Sequence, residues 1–193
     1  MAVEDIIADL KAMTASEFNR KRLFNSRAWY FEANPNGTLQ GDYDDFCGLL
    51  AQVLNVNPRN LAIVGSAKFG VSLAPPKKFK PFDATSDIDV VVVDQSWFEE
   101  IWKHLREADL NGYGDAKKEY AREIFHKYIC LKPDHHFDTN YLREVIKKTD
   151  DIKRRVATPL GIVHPITYRV YAHWSDVSAY HLMSTQRLKD SLP

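Results

Sequence analysis

Two rhythms of apolar residues run along this chain. One repeats at helical spacing, and the other alternates or runs unbroken for a few residues, as buried strands do. The helical rhythm opens at Val3 to Met13, with Ile6, Ile7 and Leu10 on one side. It resumes from Glu17 to Glu32, capped by Ser16, where Phe18, Leu23, Phe24, Trp29 and Tyr30 alternate with Arg20, Lys21, Arg22 and Arg27. Ala33-Asn-Pro-Asn-Gly37 breaks it. Asp44 or Asp45 opens the next helix, which runs through Phe46, Leu49, Leu50, Val53 and Leu54 and stops before Asn57-Pro58. Leu61 to Val64 reads as a buried strand, and Asp87 to Val93 as a second. Gln95 to Ala108, capped by Asp94, is a helix with Phe98, Ile101, Trp102 and Leu105 inward. Downstream, Glu119 to His126 is helical, Lys127 to Leu131 extended, and Phe137 to Tyr141 a short strand. Leu142 to Arg155 follows as a helix with a basic polar face. Ile166 to Trp174 alternates like a strand, with Tyr168, Val170 and Ala172 on one face, and Asp176 to Leu192 closes as a helix.

Strands separated by helices predict an α/β (α+β) fold, a mixed sheet in which the two apolar runs are neighbours and helices pack on one face. With 193 residues the expectation is a single domain over 1–193, its N-terminal helices (about residues 1–57) packed on the core.

Composition narrows the function classes. Lys and Arg total 26 and Asp and Glu total 26, so no global positive field marks a nucleic-acid coat protein. Cys47 and Cys130 form no Cys-x-x-Cys pair and read as small buried hydrophobes in a reducing compartment. Met-Ala-Val-Glu-Asp lacks the features of a signal peptide, and no apolar stretch approaches the ~20 residues of a membrane helix. A cytoplasmic protein without membrane insertion is expected.

The chemistry concentrates in two short pieces. Leu61-Ala-Ile-Val-Gly-Ser-Ala-Lys-Phe-Gly70 is an apolar strand that breaks at Gly65-Ser66. Ser86-Asp-Ile-Asp-Val-Val-Val-Val93 is a strand opening with two carboxylates one residue apart. Side chains alternate along a strand, so Asp87 and Asp89 point the same way while Ile88 points into the core. Two adjacent carboxylates at the mouth of a buried strand repel, and a divalent cation relieves that cost. Hard oxygen ligands select Mg2+ or Mn2+. A Gly-Ser turn offers backbone N–H groups and a hydroxyl to phosphate oxygens.

Gly65-Ser66 followed by Asp87-Ile-Asp89 resembles the DNA polymerase β-like nucleotidyltransferase superfamily, over Leu61 to Asp94. The resemblance implies that Gly65 and Ser66 hold the β- and γ-phosphates of a nucleoside triphosphate. Lys68, two residues on, is placed either to add positive charge there or to stand in solvent, and Ser86 either supports the phosphates or, the favoured reading, simply starts the strand. The resemblance also implies metal ions on Asp87 and Asp89, and a third carboxylate from a neighbouring strand, for which Asp138 in His136-Phe-Asp-Thr-Asn140 is the candidate. His135-His136 point to opposite faces of an extended segment and make no zinc site. The intervening Val71 to Thr85 interleaves Lys77, Lys78 and Lys80 with Phe79 and Phe82, a composition suited to phosphates and stacked bases, including a short single-stranded oligonucleotide.

The tail, Ile166 to Asp176 with Tyr180 and His181 beyond it, resembles the ending of small stand-alone bacterial nucleotidyltransferases. Several of these sit in defence-related gene neighbourhoods, including the anti-phage system called Hailong, in which an oligonucleotide signal is read by a separate effector protein. Arg169 is the tail residue expected to approach the base or phosphates. Two classes of function stay open. One is an active enzyme that joins nucleotides or adds one to an acceptor, tRNA and protein included. The other is an inactive nucleotide-binding or antitoxin-like module that works through a protein partner.

Overall fold

The computed structural model describes residues 3–77, 79–112, 114–131 and 139–192, with residues 114–117 described by their backbone. Helix α1 (Val3–Ala12) buries Ile6 and Leu10. Helix α2 (Ala15–Phe18) is capped by Thr14, not Ser16: the Thr14 hydroxyl accepts from the Glu17 amide, while Glu17 reaches back to the Thr14 amide. The long helix expected over 17–32 does not form. After α2 the backbone passes into a π-helical turn, Asn19–Leu23, then bends, and only Trp29–Ala33 (α3) is helical again. The cause lies at Asn25. Its side-chain amide donates to the Lys21 carbonyl and its Oδ1 accepts from the Arg27 amide, local bonds that compete with the helical ladder.

Helix α4 (Tyr43–Leu54) is capped by Asp42 rather than Asp44 or Asp45, with Asp45 completing the reciprocal cap. Strand β1 (Leu61–Val64) is wholly buried and runs directly into the short helix α5 (Gly65–Phe69). Strand β2 (Ile88–Val93) leads to helix α6 (Gln95–Leu110), capped by Asp94 as the sequence predicts. Phe98, Ile101, Leu105 and Ala108 form its inward stripe, whereas Trp102 is 41% exposed and lies under the Arg106 guanidinium. Helix α7 (Gly114–Phe125) and the two-residue strand β3 (Tyr128–Ile129) follow. The strand expected over 137–141 falls partly outside the described residues. Within them, Thr139 caps helix α8 (Asn140–Ile152), which places Tyr141 in a helix. A π-helical turn, Lys153–Ala157, strand β4 (Ile166–Tyr171) and helix α9 (Trp174–Asp190) complete the chain.

The sheet order is β1-β2-β4-β3, with β1 antiparallel to β2, β2 parallel to β4, and β4 antiparallel to β3. This is the mixed α+β sheet that the sequence predicts, with the two apolar runs as neighbours. The helices, however, cover both faces. Ile88, Val90 and Val92 join Leu50, Phe98 and Leu142 in one core, while Val91 and Val93 join Ile6, Leu10, Phe18, Val177 and Leu188 in a second. The unbroken Val90 to Val93 is the reason, since a strand apolar on both sides must be buried on both. The second core is laced by polar ties between α9 and the N-terminal segment. Thr185 donates to Asn19 Oδ1 at 2.7 Å, and the Lys189 ammonium donates to the Leu10 and Met13 carbonyls. Among the described residues no helix is long and apolar enough to cross a membrane.

Candidate active site

Strand register sets the site. Asp89 lies opposite Val64 of β1 on one side and Thr167 of β4 on the other, and Val91 lies opposite Arg169. Alternation then brings Asp87, Asp89, Thr167 and Arg169 to one face of the sheet, at the edge of the core that holds Val91 and Tyr171. The Thr167 hydroxyl stands 3.2 Å from Asp89 Oδ1 and 3.4 Å from Asp87 Oδ2, one donor between two carboxylates. Arg169 Nη2 donates to Asp89 Oδ1 at 3.1 Å. The side chains of this ion pair are about one-quarter exposed at Arg169 and one-fifth at Asp89.

Electrostatics here reflect competition. Burial raises the Asp89 pKa and the charge of Asp87 adds to it, against Arg169, the Thr167 hydroxyl and Lys77. Burial also works against the Arg169 charge, but the neighbouring Asp89 carboxylate outweighs it and holds the guanidinium protonated. Arg169 lies over the ring of Tyr128, 5.7 Å from its centroid.

Gly65 closes the site from the β1 side. Its φ is +69°, and a Cβ there would come within 2.7 Å of Asp89 Oδ2. Both the left-handed turn and the close approach of backbone to carboxylate demand glycine. Gly65→Ala is therefore expected to displace Asp89, cutting any turnover by about tenfold or more while lowering stability by about 1–2 kcal/mol. Steady-state kinetics and urea denaturation check this, and an alanine variant with native values would remove Gly65 from the site.

Gly65, Asp87, Asp89 and Arg169 line a pocket of about 220 Å³ that also holds Ser66, Ser72, Lys77, Asn19, His181 and Ser184. A larger groove, about 1020 Å³, lies between α6 and the start of α9, where Glu99, Glu100, Lys103 and Arg106 spread along its rim. Volume favours that groove. The convergence of two carboxylates, a glycine turn and two cations favours the smaller pocket, and chemistry is decided by convergence.

Several sequence-derived site residues lie elsewhere. Lys68 is 4% exposed and is not among the residues that line the pocket. Its ammonium donates to the Asn25 carbonyl at 2.6 Å, to Asn25 Oδ1 at 2.8 Å and to the Arg27 carbonyl, which fixes the bend before α3. Lys77, from the loop after α5, lines the pocket instead. Ser86 serves the local backbone and not the pocket. Its hydroxyl accepts from the Asp83 amide at 3.0 Å, and its carbonyl accepts from His164 Nδ1 at 3.0 Å. Asp138 lies outside the described residues. Among those described, no third His, Cys, Asp or Glu joins Asp87 and Asp89 as a metal-binding group. On the neighbouring strand β4, Thr167 stands opposite Asp89 and Arg169 opposite Val91.

Residues that sequence reasoning did not assign come from both ends of the chain. Asn19 and Thr185, bonded to each other, are buried at the pocket wall. His181 Nε2 is buried without a hydrogen-bond partner, and burial, reinforced by Arg169, lowers the imidazole pKa to about 4. No periodicity marks these positions, because their roles arise only when α9 docks on the π-helical turn.

No protein-family model matches the chain, nor does any curated protein or solved structure with which it was compared.

Proposed function

We propose that this chain is a metal-dependent nucleotidyltransferase of the polymerase β-like type, acting on nucleoside triphosphates. One observation carries the reading: Asp87 and Asp89, bridged by Thr167, face the Gly65 turn in a pocket that also gathers Ser66, Lys77 and Arg169.

The donor set fits Mg2+ or Mn2+. Two carboxylates on one face suit a hard ion that completes its shell with water and substrate phosphates rather than in an all-protein cage. Asp87 and Asp89 would hold it, and when bound it neutralises triphosphate charge and favours ionisation of the attacking hydroxyl. The chain's own groups do the rest. Ser66 and the backbone of the turn donate to phosphate oxygens, and Lys77 and Arg169 supply counter-charge where pyrophosphate departs. Asn19, His181 and Ser184 offer polar contacts to the nucleoside end. Nucleotidyl transfer depends chiefly on positioning and charge neutralisation, which is why so few residues suffice.

The acceptor we favour is the 3′-hydroxyl of another nucleotide, which attacks the α-phosphorus and expels pyrophosphate to extend a short oligonucleotide without a template. A formal net charge of zero supplies no global positive field to draw in tRNA or duplex. Together with the resemblance of the tail, this favours an oligonucleotide signal in anti-phage defence, read by an effector protein. Incubating the protein with each labelled ribo- and deoxynucleoside triphosphate and Mg2+ or Mn2+ should release pyrophosphate and yield a ladder or a cyclic species. Label appearing only on added tRNA or protein would make it a modifier.

A second reading, a nucleotide-binding module acting through a protein partner, draws on the Arg169–Asp89 ion pair and on the lack of a third carboxylate beside the pair among the described residues. Triphosphate binding without pyrophosphate release would favour it.

A further inference from the structure

Helix α6 has a face that the fold leaves uncovered. Phe98, Ile101, Leu105 and Ala108 are spent on the core. Glu99, Trp102, Lys103, Arg106 and Leu110 recur at intervals that bring them together as a second stripe on the outer side of the helix. In that stripe Trp102 is 41% exposed and Leu110 71%. All five line the groove of about 1020 Å³, where Phe98, Ile124 and Ala172 add apolar wall. Large apolar side chains held open to water and rimmed by charge mark an interaction surface.

The order of the charges points to the partner. Along the stripe the sign runs from negative at Glu99 to positive at Lys103 and Arg106. Neither sign dominates, so the face suits neither a phosphate backbone nor a strongly acidic peptide. A row of charges that changes sign along a helix is, however, the complement of itself reversed. Helix α6 runs from Gln95 to Leu110, which puts its midpoint between Trp102 and Lys103. A second α6 laid antiparallel about that point sets Glu99 against Arg106 of the second copy, and Arg106 against its Glu99. Trp102 then meets Lys103 of the second copy, whose stem and ammonium both suit an aromatic ring. Parallel packing would set like charges together.

We propose that this chain forms a two-fold dimer through α6, the outer stripe of each copy packed antiparallel on that of the other. Two-fold symmetry makes every contact twice. A helix of 16 residues is about 24 Å long, enough for a small interface and too little for an obligate one. The dimer is therefore reversible, with a Kd on the order of 10 µM. The groove shares no lining residue with the pocket that holds Asp87 and Asp89, so dimerisation and the chemistry of that pocket can be tested separately.

Sedimentation equilibrium of the native chain and of charge-reversed variants decides it. Glu99→Arg and Arg106→Glu should each weaken the dimer at least about tenfold, because each turns two attractions into two repulsions. Their equimolar mixture should recover native affinity as a heterodimer, since the arginines of one variant then face the glutamates of the other. The doubly reversed chain, Glu99→Arg with Arg106→Glu, keeps the complementarity and should dimerise as the native chain does. A native chain that sediments as a monomer up to about 100 µM leaves the stripe to a different protein and overturns the dimer. So does a native oligomer that the single variants leave intact, or a mixture of the two that stays monomeric.

Discussion

Replacing Asp87 and Asp89 together with Ala is expected to abolish nucleotidyl transfer, a loss on the order of a thousandfold, or about 4 kcal/mol of barrier. The fold should survive, because both carboxylates stand at the start of β2 and Val90 to Val93 stay in place. Stabilisation of the protein by Mg2+ or Mn2+ should vanish with the pair. The single variants should separate. Asp87→Ala removes a repelling charge whose hydrogen bond from Thr167 is long, at 3.4 Å, so stability without metal should hold or rise slightly. Asp89→Ala leaves the Arg169 guanidinium part-buried and unpaired, at about 1–2 kcal/mol after discounting for solvent screening. Pyrophosphate release and urea denaturation without metal measure the two effects. Native release by the double variant would end the assignment. Equal stabilities of the two singles would show that the ion pair contributes nothing.

Lys68→Met should be the most damaging single change that leaves both carboxylates in place. Methionine matches the stem in length but cannot donate to the Asn25 and Arg27 oxygens, a loss of about 2–4 kcal/mol. The side chain also carries a pH signature. Burial, opposed by Glu32, lowers its pKa from 10.5 to about 8. Between those values the unfolded chain binds more protons than the folded one, so this group makes stability rise with pH across that window. Below about pH 8 the cost of the buried charge is fully present. Urea denaturation of both proteins at about pH 8 and about pH 10.5 should show the rise in the native chain and not in Lys68→Met. Parallel behaviour would mean that Lys68 is not the group responsible.

How far the sequence carries is clearest from Lys68 and Lys77. Position 68, two residues past Ser66, looks like a phosphate cation when only spacing is considered. It is the curl of α5 and the bend at Asn25 that turn it inward. Lys77 was visible only as one of several lysines in a basic loop, and no local pattern distinguishes the one that reaches the pocket. The strands were legible because an apolar run as short as Leu61 to Val64 has few other places to go. Asp87 and Asp89 were legible because strand alternation is strict. Burial of both sheet faces could have been read from Val90 to Val93, whereas the break at residues 19–28 could not, since side-chain capture of backbone groups by Asn25 overrides an acceptable helical pattern. Thr167 and Arg169 acquire meaning only through the parallel register of β4 on β2, a long-range pairing that local sequence does not specify.

The ties from Asn19 to Thr185 and from Leu10 and Met13 to Lys189 bear on when the site comes into being during synthesis. Chains are made from the N-terminus, and contacts this distant in sequence form last. A ribosome-bound chain halted before residue 166 already contains Gly65, Ser66, Asp87 and Asp89, but it lacks Thr167 and Arg169, and residues 6–23 have no α9 to pack against. Such a nascent chain carries both motifs without a pocket, and the docked α9 that completes the site can form its Lys189 ties only after residue 189 has cleared the exit tunnel.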